Sequence, residues 1–257
     1  MIPLRPGLRP GELARRLRLI VITDVELARP RTVVDVVRTA VRAGAPAVQL
    51  RDKAASAREL YETGRAILPI VRDAGALFFV NDRVDVALAL GADGVHVGPD
   101  DVPVAGVRAA VARVRGSKGG QPRSDQAGET GAGGSGGTGE VAPHPFLVGT
   151  STDDPETARR LVAEGADYIG CGTVYGTSTK ADAGSIIGLE GLQRVVDAVA
   201  VPVVGIGGID AERSVEVAAH TSAAGVAVVG AVMGAEDVGA AVEGLMAPWE
   251  VERRSPS

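Results

Sequence analysis

The chain has 257 residues, 45% of them hydrophobic and 3% aromatic, and a net charge of −5. Abundant Ala, Val and Gly can build a core of small and β-branched side chains within one large domain, which excludes a wholly disordered protein. The acidic balance argues against nucleic acid or an anionic membrane as partner, and the single cysteine, Cys171, excludes an intrachain disulfide and fits a cytoplasmic location.

Residues 1–17 are basic and proline-broken, and predict an N-terminal arm with one helical turn from Glu12. The apolar run that follows is too short for an export signal or a membrane span. From residue 18 to 247 short apolar runs alternate with longer helical patterns, the sign of repeated βα units and a parallel sheet. The strand candidates are Leu19–Thr23, Ala47–Arg51, Leu77–Asn81, Gly94–Val97, Phe146–Ser151, Tyr168–Gly172, Val203–Ile206 and Val226–Val229. Helical spacing of Val, Leu and Ala falls at Thr32–Ala43, Ala57–Ala74, Val84–Leu90, Val104–Val114, Pro155–Glu164, Leu189–Val199, Ala211–Ala219 and Glu236–Met246. Eight strands each followed by a helix predict a single closed (β/α)8 TIM barrel, with residues 248–257 as a tail. Four helices run into Gly-Ala pairs at Gly44, Gly75, Gly91 and Gly165, as expected where a helix ends. Residues 116–143 have no apolar periodicity and predict a flexible Gly-rich insertion between the fourth helix and fifth strand, on the face opposite the active-site loops.

Only three of the 27 basic residues are lysines, and Lys53 and Lys180 each follow a polar cluster at the end of an apolar run. Arginine cannot replace a compact ammonium that must fit against a phosphate, so these two positions are candidate anion ligands. Lys118 falls in the insertion and reads as a solvated charge. The strand period puts Gln49 and Arg51 on one face and aims Lys53 the same way, with Val48 and Leu50 facing the helices. Such an inward polar stripe needs a partner: either an internal salt bridge or a diphosphate.

Asp82 and Asp101 follow the third and fourth strands. Singly each has an ordinary reading, as a helix N-cap and a turn residue, but as a pair they are a sparse oxygen site of the kind Mg2+ uses. Ser151 ends the fifth strand and could donate to a phosphate oxygen. The run Gly172-Thr173-Val174-Tyr175-Gly176-Thr177-Ser178-Thr179-Lys180 offers hydroxyls, backbone donors and a cation. Gly205-Ile206-Gly207-Gly208 and Val229-Gly230 stand where barrels of this fold often hold a phosphate. Two anion sites in one barrel suggest a transferase joining two phosphorylated molecules.

In this order, Gln49-Leu50-Arg51-Asp52-Lys53, Asn81-Asp82-Arg83, His96-Val97-Gly98 with Asp101, Gly149-Thr150-Ser151, Thr177-Ser178-Thr179-Lys180 and Gly205-Ile206-Gly207-Gly208 resemble the thiamine-phosphate synthase family. The resemblance runs from Leu19 to Met246 apart from the insertion. It implies condensation of 4-amino-2-methyl-5-hydroxymethylpyrimidine diphosphate with a thiazole phosphate, or its carboxylated form, to give thiamine phosphate and diphosphate. By the same resemblance Gln49, Leu50, Arg51, Asp52, Lys53, Asn81, Ser151 and Lys180 would hold the pyrimidine diphosphate, with Arg51, Lys53 and Lys180 catalytic. Asp82 and Asp101 would ligate one Mg2+, while Thr177, Ser178, Thr179, Gly208, Val229 and Gly230 would hold the thiazole phosphate. Three positions depart from the family pattern: Gly230 stands for a common serine, Thr173 for a usual proline and Asp153 for a frequent histidine. The alternatives are a thiazole tautomerase on a related barrel and a non-catalytic phosphometabolite-binding barrel. The oligomeric state is left open.

Overall fold

The computed structural model describes residues 11–117, 146–176 and 185–250. Eight parallel strands close in sequence order into a barrel: β1 (Leu19–Ile22), β2 (Ala47–Leu50), β3 (Leu77–Asn81), β4 (Gly94–Val97), β5 (Leu147–Ser151), β6 (Tyr168–Cys171), β7 (Val203–Ile206) and β8 (Gly225–Val228). The expected TIM barrel is therefore what forms, with strand limits within one residue of those read from the apolar runs.

Among the described residues the helices are α1 (Glu12–Arg16), α2 (Val25–Ala28), α3 (Val33–Arg42), α4 (Ala57–Asp73), α5 (Val84–Leu90), α6 (Val104–Ser117), α7 (Pro155–Ala163), α8 (Gly188–Ala198), α9 (Ala211–His220), α10 (Gly230–Met233) and α11 (Val238–Glu250). Their starts have local causes. Ser56 and Glu59 form a reciprocal capping box on α4, Thr32 caps α3, Asp210 caps α9, and Asp154 caps α7 just ahead of Pro155. The four glycines at helix ends all take positive φ, between 67° and 110°, which a side chain with Cβ adopts only at a cost.

Strand alternation divides the core in two. Leu19, Val21, Val48, Leu50, Val80, Val95, Val148 and Ile169 face outward into the layer under the helices. Ile20, Ile22, Ala47, Leu77, Phe79, Leu147, Tyr168, Val204 and Ala227 fill the barrel interior. Leu13 and Leu17, on and just after α1, join that inner cluster and close the N-terminal end of the barrel, each burial contributing about 1.5–3 kcal/mol. The segment expected as an arm thus carries the plug of the barrel floor. At the other terminus Trp249 is buried and its Nε1 donates to the Ser214 hydroxyl, which itself donates to the Leu245 carbonyl, so α11 extends past residue 247.

The predicted insertion falls largely outside the described residues. Its described boundaries, the end of α6 and the start of β5, both lie at the face opposite the C-terminal ends of the strands, because helices return the chain to the start of the next strand. Among the described residues no helix is long and apolar enough to cross a membrane.

Candidate active site

The C-terminal ends of β2, β3 and β4 bring cations and carboxylates together. Thr23, buried at the end of β1, clamps the end of β2: its hydroxyl donates to the Arg51 carbonyl at 2.9 Å and accepts from the Arg51 N–H at 2.8 Å. That fixes the backbone from which the Arg51 side chain leaves the inward face. Lys53 follows on an exposed loop organised by Asp52, whose carboxylate accepts from the N–H groups of Ala54 at 3.0 Å and Ala55 at 3.2 Å. Leu50 is buried on the helix side of the sheet, so any contact it makes with a ligand falls to its backbone. Gln49 is 3% exposed and hydrogen-bonds Tyr168, lower in the barrel than Arg51.

Asp82 has φ +60, an unusual conformation for a residue other than glycine and one that costs of order 1–3 kcal/mol. It does not cap α5: Arg83 occupies that position, without a side-chain cap. Its carboxyl instead hydrogen-bonds Asp101. Burial, then that hydrogen bond and charge, raise its pKa to about 6, and the positive charges of Lys53 and Arg51 pull the other way. Asp101 does close a turn, accepting from the Gly98 N–H at 2.8 Å, yet still meets Asp82. A strained aspartate meeting a second carboxylate beside two cations is an arrangement that costs stability and can hold a cation and an anion together.

Four inward side chains continue the site below. The register pairs His96 with Gly149 and Gly149 with Tyr168, so His96 and Tyr168 flank a residue with no side chain. His96 Nδ1 lies 3.0 Å from the Tyr168 hydroxyl and His96 Nε2 lies 2.8 Å from Ser151 Oγ. Gln49, Tyr168, His96 and Ser151 thus form one hydrogen-bonded chain from β2 across the interior to β5. Asn81 pairs in register with His96, at the same level of the barrel. Tyr168 had no role in the sequence reading; alternation along β6 gives its inward phase but not the register that sets it opposite Gly149.

On the far side, Gly208 has φ +65, and a Cβ there would collide with the carbonyl oxygen of Gly176 and approach that of Tyr175 at 2.9 Å. The loop after β7 is therefore packed directly on the loop after β6. Tyr175 donates to Glu216 at 2.6 Å and lies 4.9 Å below the Arg213 guanidinium, which also donates to the Gly208 carbonyl. Thr173 is buried and Asp153 exposed. Val229 caps α10 and Gly230 opens it. Thr177, Ser178, Thr179 and Lys180 lie outside the described residues, as does Lys118.

Beside the mouth a cavity of about 360 Å³ is lined by Thr23, Leu50, Arg51, Asp52, Glu59 and Thr63, among others. None of Asn81, Asp82, Asp101 or Ser151 lines it, so it flanks the carboxylate pair. Cys171 faces the helix layer, where burial pushes its thiol up to about 12, so it is no nucleophile. Among the described residues no three His, Cys, Asp or Glu side chains gather as a metal site, which leaves the two carboxylates as the candidate donors.

Comparison with known proteins identifies the family and the fold. The thiamine-phosphate synthase of Pyrococcus furiosus is 43% identical over 91% of this chain and 95% of its own length, and that of Moorella thermoacetica is 42% identical over 88% and 93%. A solved structure of thiamine phosphate pyrophosphorylase from Pyrococcus furiosus superposes with a TM-score of 0.71 at 39% identity, covering 92% of this chain and 96% of that one. (S)-3-O-geranylgeranylglyceryl phosphate synthase from Thermoplasma acidophilum, at 12% identity and a TM-score of 0.58, shares the fold alone. The sequence profile of the thiamine monophosphate synthase family matches residues 19–132 and 138–232, and the chain belongs to that family as an enzyme of the transferase class.

Proposed function

We propose that the chain condenses 4-amino-2-methyl-5-hydroxymethylpyrimidine diphosphate with a thiazole phosphate, releasing diphosphate and forming thiamine phosphate. The observation that carries this reading is the Asp82–Asp101 pair set under the positive charges of Lys53 and Arg51. A diphosphate carries its own negative charge, so it needs both the cations and a metal to neutralise it; either alone would leave charges uncompensated.

The donor set suits Mg2+. Two carboxylates from neighbouring loops, with room for water and phosphate oxygens, match the sparse protein ligation this ion accepts. Asp82 and Asp101 would hold it, and when bound it supplies positive charge that stabilises the departing diphosphate.

The residues of the chain divide the remaining work. Arg51, Lys53 and Lys180 hold the diphosphate, while Asn81 and Ser151 supply neutral polar groups. As the C–O bond breaks, its electron pair goes to the diphosphate, and cations already in place meet the growing charge without reorganising. The thiazole nitrogen then gives its lone pair to the pyrimidine methylene carbon and becomes a thiazolium. No side-chain nucleophile takes part. Gly208, Val229 and Gly230 hold the thiazole phosphate through backbone N–H groups, with Thr177, Ser178 and Thr179 adding hydroxyls. Gly230 has no side chain and so supplies no hydroxyl.

Incubation of the purified chain with both substrates and Mg2+ tests the reading. Thiamine phosphate supports it, whereas isomerisation of a carboxylated thiazole phosphate without condensation favours the tautomerase.

A further inference from the structure

We infer that Tyr168 is a positioning residue, which through His96 holds the Ser151 hydroxyl as a hydrogen-bond donor toward the barrel mouth. The inference rests on the proposed function only for the identity of the ligand.

The hydrogen bonds along this chain share one polarity. A phenol has one proton and a neutral imidazole has one N–H, so the hydrogen bonds from Tyr168 to His96 at 3.0 Å and from His96 to Ser151 at 2.8 Å must run the same way. If Tyr168 donates to Nδ1, the imidazole proton is on Nε2, it points at Ser151 Oγ, and the serine proton is left for a ligand. In the reverse order Ser151 donates inward and offers only lone pairs, which would repel a phosphate oxygen. The first order is the one in which the Gln49 amide N–H donates to the phenol oxygen and leaves the phenol proton for His96, and an anion at the mouth favours it, because an anionic oxygen is a stronger acceptor for the Ser151 proton than a neutral imidazole nitrogen. Tyr168 itself is fully buried, and burial keeps it protonated.

The surroundings hold the ring in place. Its edge packs on Phe79 at 5.4 Å between centroids, and a Cβ on Gly149 would overlap the phenol ring, so glycine there is what admits it. Gly170, next to Ser151 in register, leaves His96 room: a Cβ there would lie 3.2 Å from His96 Cε1. The Gly149-Thr150-Ser151 run therefore combines a slot for the tyrosine with the hydroxyl that the tyrosine orients.

The test reads the tautomer directly. Nitrogen NMR of histidine-labelled protein at alkaline pH has only His96, His144 and His220 to separate, and His144→Gln and His220→Gln variants assign them. The expected result is a neutral His96 with its proton on Nε2, a preference that Tyr168→Phe abolishes while keeping the ring. A proton on Nδ1, or on both nitrogens, overturns the inference. In kinetics, Tyr168→Phe should raise KM for the pyrimidine diphosphate about tenfold with little change in kcat, the size of one lost hydrogen bond to a charged group. The same change added to Ser151→Ala should have no further effect, whereas fully additive losses overturn the proposal. If the parent protein makes no thiamine phosphate, the proposed function fails instead. The NMR result, and the binding of inorganic diphosphate with Mg2+ by the parent and Tyr168→Phe, then still decide the inference.

Discussion

Asp82 hydrogen-bonds Asp101 from a backbone held at φ +60, tying the loop after β3 to the loop after β4. Two carboxylates in contact are unfavourable without a cation, and the conformation of Asp82 adds to the cost. The pair is thus a point where stability is given up for a site.

Asp82→Asn should raise the stability of the metal-free protein at neutral pH while lowering activity by at least about a hundredfold, as expected when one of two ligands to a catalytic metal is lost. The sign follows from linkage. The Asp82 pKa is raised from 3.8 to about 6, so between those values the folded state binds more protons than the unfolded one. Its contribution to stability is therefore greatest at acid pH and falls as pH rises through about 6. Urea unfolding of parent and variant at pH 5 and pH 7.5 checks this: the advantage of the variant should grow with pH. Mg2+ should stabilise the parent more at pH 7.5 than at pH 5, and should leave the variant nearly unchanged.

Gly208→Ala places a Cβ against the Gly176 and Tyr175 carbonyl oxygens at a positive φ. A loss of about 1–3 kcal/mol of stability is expected. The loops after β6 and β7 would separate, so KM for the thiazole phosphate should rise more than KM for the pyrimidine diphosphate. Thermal unfolding and steady-state kinetics measure the two effects.

Lys53→Arg and Lys180→Arg should each reduce kcat/KM by about tenfold or more although charge is kept, because a planar guanidinium cannot occupy the place of a compact ammonium. Parent-like kinetics in both variants would remove the argument from the scarcity of lysine.

Replacing residues 119–142 with a short loop should leave turnover within about twofold of the parent, since loop length changes closure entropy only slowly. The end of α6 and start of β5 lie away from the site. A loss of about a hundredfold would place the insertion in contact with the catalytic face.

The barrel was legible in the sequence because every strand is a short apolar run and four helices end at a glycine that the backbone requires. The inward phase of Gln49 and Arg51 followed from a period of two, and the carboxylates after β3 and β4 from their place beyond a strand. Three features were not legible in the sequence. Tyr168 meets His96 only because Gly149 stands between them. Leu13 and Leu17 read as stray leucines among arginines until the barrel floor is there to receive them. The positive φ of Asp82 has no local signal, since an aspartate before a helix ordinarily caps it.

The most direct measurement is single-turnover mixing of the chain with pyrimidine diphosphate, thiazole phosphate and Mg2+, with product followed in the parent and in Asp82→Asn. The account predicts thiamine phosphate and an equal amount of diphosphate from the parent and almost none from the variant. Diphosphate release without thiamine phosphate, or equal product from both proteins, would contradict it.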